Sequence, residues 1–117
     1  MTKPIYRIIK SLVTENVYTA WLKFDSEHAL YQGHFPGKSV TPGACLLQTA
    51  EELVCLFTEQ ACRLTGAKQV KFLRMHHPDI PLRFEICLEK GCLPGPVKVE
   101  IYDEQGLISK MSIDISL

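Results

Sequence analysis

The sequence predicts an α+β fold, an antiparallel sheet of about six strands wrapped around one long central helix. Three observations point to it. Two strand patterns lie near the N-terminus, a single long helical pattern follows, and four more strand patterns run on to the last residue. At 117 residues, the chain reads as a single domain, 1–117, large enough for one core.

Each element has its own signature. Residues 5–13, Ile5 to Val13, are rich in β-branched and aromatic side chains, and Glu15-Asn16 marks a turn. From Val17 to Phe24, the apolar Tyr18, Ala20, Leu22 and Phe24 alternate with Thr19, Trp21 and Lys23, which makes a hairpin with the first strand. Asp25-Ser26-Glu27 offers N-cap chemistry for a short helical turn from His28 to Tyr31. The long helix is predicted from Thr41 as N-cap and Pro42 as first helical residue through to Leu64, with Thr65-Gly66 as its stop. At about 100° per residue, Leu46, Ala50, Leu53, Val54, Phe57, Ala61 and Leu64 share one stripe, and Gln48, Glu52, Cys55 and Glu59 lie roughly opposite.

The later strands are read from alternation. The first runs from Ala67 to Met75. In the second, Leu82, Phe84, Ile86 and Leu88 share a face, and in the third Val97, Val99 and Ile101 do. Asp103 to Gly106 makes a hairpin turn, and Leu107 to Leu117 closes the chain. The four together read as a meander of short-linked antiparallel strands. Exposed sheet edges and a second, partly apolar helix face predict dimerisation.

Composition narrows the function classes. Thirteen basic and thirteen acidic residues give a formal net charge of zero, so binding nucleic acid is not the main business of this chain. No apolar run approaches the roughly 20 residues that span a bilayer, and Met1-Thr2-Lys3-Pro4 leads into a strand with no signal-peptide pattern. The five cysteines, Cys45, Cys55, Cys62, Cys87 and Cys92, are odd in number and show no CxxC spacing, which reads as small buried hydrophobes in a reducing cytoplasm.

The stretch from Gly33 to Gln48 carries the chemistry. Five of the fourteen glycines and prolines fall within residues 33–43, so the backbone there is steered. His34 sits at the head of that loop, and the long helix begins where it ends. A histidine beside a helix N-terminus is a candidate general base next to a ready anion site.

Tyr31-Gln32-Gly33-His34-Phe35-Pro36-Gly37, followed by Pro42-Gly43 and an apolar helix, resembles the signature of the 3-hydroxyacyl-acyl-carrier-protein dehydratases of the hot-dog fold. Val70 to Arg74 and the Pro78-Asp79-Ile80-Pro81 turn resemble a further strand and turn of that family. The resemblance implies a dimer with active sites at the subunit interface. His34 would remove the Cα proton of a (3R)-hydroxyacyl thioester, the Gly43 N–H would polarise the thioester carbonyl, and the Val40 carbonyl would orient the imidazole. Phe35 and Pro42 would adjoin the substrate. The product would be the trans-2-enoyl thioester of fatty-acid or polyketide-type synthesis. No cofactor or metal is implied, since the 4'-phosphopantetheine arm belongs to the substrate, which is carried by acyl carrier protein or coenzyme A.

The scheme is physically sound. Charge that develops on a thioester oxygen is stabilised by a helix N-terminal N–H, and Gly43, lacking Cβ, would let an acyl chain approach. A histidine with pKa of about 6.5 acts as a base near neutrality. Gln48 departs from the family's pattern, which has Glu or Asp fourteen positions after the histidine, supplied by the partner subunit. An amide cannot protonate the leaving hydroxyl. Three readings stay open: a heterodimer whose second dehydratase-like subunit supplies the acid, a homodimer that works through Gln48 and a water or through Glu52, and a protein that binds acyl thioesters without dehydrating them. A hot-dog thioesterase is a further alternative.

Other residues read more plainly. His76-His77 before Pro78 suggests an exposed turn, and His28 a surface position. Cys45 is a packing residue near a helix start, where a thiol pKa can fall. Lys38, Lys71 and Arg74 are either contacts for an acidic carrier protein or ordinary solvated charges. Tyr31, Phe35 and Leu47 either line an acyl tunnel or pack the core.

Overall fold

The computed structural model of the chain describes residues 4–31, 40–88 and 93–117. Strands β1 (Tyr6–Thr14) and β2 (Val17–Phe24) lead through a 3-10 turn at Ala29–Tyr31 to helix α1 (Gly43–Thr58), and strands β3 (Arg63–Phe72), β4 (Leu82–Cys87), β5 (Gly95–Asp103) and β6 (Gly106–Ser116) follow. In β2, β4 and β5 the alternation read from sequence becomes burial: Tyr18, Ala20, Leu22, Phe24, Leu82, Phe84, Ile86, Val97, Val99 and Ile101 are all buried. From β6, Ile108, Met111, Ile113 and Ile115 join them.

These side chains form the inner face of one antiparallel six-stranded sheet, in the order β1-β2-β4-β5-β6-β3. Helix α1 lays Leu46, Ala50, Leu53 and Val54 on that face. Each fully buried aliphatic of this kind contributes roughly 1.5–3 kcal/mol. Register shifts between Ile8 and Lys10 and at two places in β3 put bulges in both edge strands, and bulges add the twist that lets a sheet curl around a helix. One helix wrapped by one antiparallel sheet is the predicted arrangement.

Three expectations about element ends and order are corrected. The helix stops at Thr58 rather than Leu64. Glu59 takes a left-handed conformation (φ 55°), its N–H donates to the Leu56 carbonyl, and the Gln60 N–H donates to the Cys55 carbonyl. Leu64 is already in β3, where its N–H donates to Glu51 Oε2 at 2.6 Å. Ala61 is exposed.

The helix also begins one residue late. Pro42 is the N-cap residue, and the Thr41 hydroxyl is bonded elsewhere. Finally, β3 is no part of the meander. It pairs with β6 at the far edge, so of the four later strands only β4, β5 and β6 follow one another as neighbours.

Candidate active site

The start of α1 is built by Val40-Thr41-Pro42-Gly43. Pro42 is extended (φ −62°, ψ 145°), and its carbonyl accepts from the N–H groups of Cys45 at 3.0 Å and Leu46 at 3.3 Å. The Gly43 and Ala44 N–H groups come before those first donors and have no partner within the helix, which leaves the positive end of the helix dipole there. A Cβ on Gly43 would lie 2.7 Å from Phe72 Cζ and 2.9 Å from Cε2. The space beside this glycine is therefore filled by an aromatic ring from β3. The sequence had suggested that the missing Cβ makes room for an acyl chain.

His34 and Phe35 lie outside the described residues, as does Lys38. Flanking that stretch, Tyr31 and Val40 are both buried. Tyr31 packs inside with its hydroxyl 2.7 Å from Thr41 Oγ1. Burial pushes the Tyr31 phenol above its usual range, more than its bond to Thr41 lowers it.

Beyond Thr41 stands His76, and here the reading of an exposed turn fails. His76 is 3% exposed, with Nδ1 2.7 Å from Thr41 Oγ1, Nε2 2.7 Å from the Ile80 carbonyl, and its ring edge-on to Phe24. Polar partners on both ring nitrogens make that burial affordable. Burial lowers its pKa below 6.5, neighbouring His77 lowers it further, and the Ile80 bond and Asp103 offset this only in part. His77 stays exposed, and His28 is half-buried, its Nδ1 accepting from the Leu30 N–H at 3.0 Å.

Gln48 faces a groove of about 730 Å³ between β1 and the helix, lined by Ile5, Tyr6, Arg7, Cys45, Gln48 and Glu52 among others. The Gln48 amide N–H donates to Glu52 Oε2 at 3.3 Å, and the Tyr6 hydroxyl donates to Glu52 Oε1 at 2.8 Å. A carboxylate flanked in this way can only accept, so it turns the Gln48 amide nitrogen toward itself. Burial and then Glu52 raise the Tyr6 pKa, which keeps that hydroxyl a donor. From Gly43, Gln48 lies about 7.5 Å along the axis and about 140° around it. One protomer does not set Gln48 beside its own Gly43 N–H.

The remaining residues sort quickly. Burial raises the Cys45 thiol, against the fall that a helix start can cause. Cys62 is pushed up to about 12 by burial and by Cys55. Cys45, Cys55 and Cys62 are half-buried, Cys87 is exposed, and Cys92 lies outside the described residues.

Arg74 is no loose surface charge. Its guanidinium forks onto Asp103 at 2.9 and 3.0 Å, and also meets Gln105 Oε1 and the Gly106 and Leu107 carbonyls. Lys71 is exposed, and Leu47 packs against the core. Among the described residues no group of three or more His, Cys, Asp or Glu could hold a metal, and no helix is long and apolar enough to cross a membrane.

With this geometry in hand, known proteins place the chain. The family model described as ApeI-like, ApeI dehydratase, matches residues 10–110. The chain belongs to the ApeI-like dehydratase family. It is 36% identical over 69 residues to a 3-hydroxyacyl-acyl-carrier-protein dehydratase FabZ of Latilactobacillus sakei subsp. sakei (strain 23K), a match covering 53% of this chain and 49% of that protein. It is 35% identical over 68 residues to the FabZ of Ligilactobacillus salivarius (strain UCC118), covering 52% and 49%. The chain thus spans about half the length of the curated relatives it matches.

Solved structures show the hot-dog fold. The dehydratase heterocomplex ApeI:P from Xenorhabdus doucetiae superposes with TM-score 0.83 at 18% identity over 99% of this chain and 100% of that one. A hypothetical thioesterase with coenzyme A from Streptococcus pneumoniae TIGR4 gives 0.67 at 13% identity over 94% and 83%. A dehydratase heterocomplex and a hypothetical thioesterase thus share this framework.

The buried neutral His76 has a measurable consequence. Its folded pKa is below that of the unfolded chain, so its stabilisation is fully present above about pH 6.5 and is lost as pH falls below that value. Urea unfolding from about pH 8 to about pH 5 should show stability declining in acid, with a shallower decline in His76→Val. An identical slope in the variant would contradict the assignment.

Proposed function

We propose that this chain is one half of a 3-hydroxyacyl thioester dehydratase, paired with a second dehydratase-like subunit that supplies the acid. His34 takes the Cα proton, and the Gly43 N–H holds the charge that develops on the thioester oxygen. The Val40 carbonyl orients the imidazole, with Phe35 and Pro42 beside the substrate. The partner's acid protonates the departing hydroxyl, giving the trans-2-enoyl thioester. The substrate is a (3R)-hydroxyacyl group on acyl carrier protein or coenzyme A, in fatty-acid or polyketide-type synthesis, and the chemistry calls for no metal or diffusible cofactor.

Membership of a dehydratase family supports the reaction class. The observation that carries the half-site reading is the row Tyr6–Glu52–Gln48. An amide occupies the acid's position, and both oxygens of the nearest carboxylate already accept hydrogen bonds. The similar Xenorhabdus doucetiae structure is described as a dehydratase heterocomplex, which agrees with unlike subunits. Edge strand β3 ends in exposed apolar side chains, Phe72 and then Leu73 and Met75, a surface suited to pairing with another subunit.

Enoyl absorbance and free thiol, followed together on a 3-hydroxyacyl thioester, separate the readings. Thiol release would instead favour the thioesterase alternative. For the isolated chain, Gln48→Glu places a second carboxyl beside Glu52, where like charges favour a retained proton and hence an acid. Dehydration should rise by at least about tenfold. No rise would contradict a missing acid. In the active complex, His34→Ala should abolish enoyl formation without changing the thermal unfolding curve, and retained turnover would show that the base lies elsewhere.

A further inference from the structure

Thr41 stands at a junction. Its hydroxyl oxygen is 2.7 Å from the Tyr31 hydroxyl on one side and 2.7 Å from His76 Nδ1 on the other. Its backbone N–H donates to the His76 carbonyl at 2.9 Å. Two bonds between the same pair of residues fix orientation as well as distance. Pro42 has no N–H, so Thr41 is the last residue before the helix that can anchor the backbone in this way. Tyr31 and Val40 are also the described residues on either side of positions 32–39, the stretch that includes His34.

Chemistry gives the row a single direction. The Ile80 carbonyl only accepts, so His76 Nε2, 2.7 Å away, carries the hydrogen. The imidazole is neutral, because burial disfavours its charged form, and Nδ1 therefore accepts. Thr41 must donate to Nδ1, which leaves Tyr31 to donate to Thr41. Among the described residues, the titratable groups that act on His76 are His77 and Asp103. Aliphatic side chains would fill the same space without any cost of burying polar groups, but they would impose no direction.

We propose that Tyr31, Thr41 and His76 are positioning residues whose one-way hydrogen-bond row locks the Val40–Gly43 backbone to the β3–β4 connection. The lock aims the Gly43 N–H and the Val40 carbonyl at their targets. Its catalytic consequence rests on the dehydratase reading, whereas the lock itself does not.

The test uses Thr41→Val, which keeps the shape and removes the hydroxyl, and Thr41→Ser, which keeps the hydroxyl. Side-chain 15N spectra of the unaltered chain should show His76 protonated on Nε2 and bare on Nδ1. The other tautomer, or an imidazolium at neutral pH, overturns the row. Amide exchange at Cys45 and Leu46, which donate to the Pro42 carbonyl, should quicken about tenfold in Thr41→Val and stay near wild type in Thr41→Ser, with β5 amides unchanged.

Equal effects in both variants, no effect, or a uniform rise that includes β5 overturns a local lock. In the active complex, Thr41→Val should lower kcat about tenfold with KM within about twofold, and Thr41→Ser should restore it. Faster exchange with unmoved kcat overturns the positioning role. A wild-type complex that never dehydrates strikes the dehydratase reading instead, and the spectra and exchange rates still decide the lock.

Discussion

Everything in this molecule depends on one helix finding cover. Leu46, Ala50, Leu53 and Val54 must leave water, and the inner side chains of β2, β4, β5 and β6 are the surface that receives them. The demand sets the curl of the sheet and the length of the helix, and it brings the helix N-terminus close to the end of β3. Phe72 then lies against Gly43, where any side chain would require its ring to shift. The glycine serves packing at the same point where it would serve chemistry.

The helix's other faces carry the functional consequences. Its N-terminus presents two N–H groups without acceptors inside the helix, a device for stabilising developing negative charge. About 140° around the helix, Gln48 is held by Glu52, which is held in turn by Tyr6 from the opposite edge strand. On the proposed reading, a site that needs both a charge-stabilising N–H and an acid would find only the first on this chain. Family membership, together with an amide at Gln48 where the proposed reaction needs an acid, favours the proposed half-site reading over a complete dehydratase or a simple binder.

Much of the fold was legible because alternation survives wherever one face of a strand meets the core and the other meets water. That is why β2 read to the residue and the core faces of β4 and β5 read correctly, with their ends within about two residues. The helix end was not legible, since Glu59-Gln60-Ala61-Cys62 contains no glycine or proline and a glutamate takes up the left-handed turn. The pairing of β3 with β6 is non-local and leaves no mark on the order of the strands. At the site, Pro42-Gly43 and the i, i+4 spacing of Gln48 and Glu52 could be read directly, but Tyr6 is 46 residues from Glu52. His76 gave no signal of its own. A histidine beside another histidine and a proline looks like an exposed turn until Thr41, 35 residues away, is seen to meet it.

The central claim is that two copies of this chain do not make a whole active site. Native mass spectrometry of the protein isolated from its own cells, coupled to a dehydration assay of each species, tests it directly. A one-to-one complex with a second hot-dog subunit bearing a carboxyl at the position of Gln48, as the only dehydrating species, is the predicted result. A homodimer of this chain that dehydrates at the same rate would contradict it.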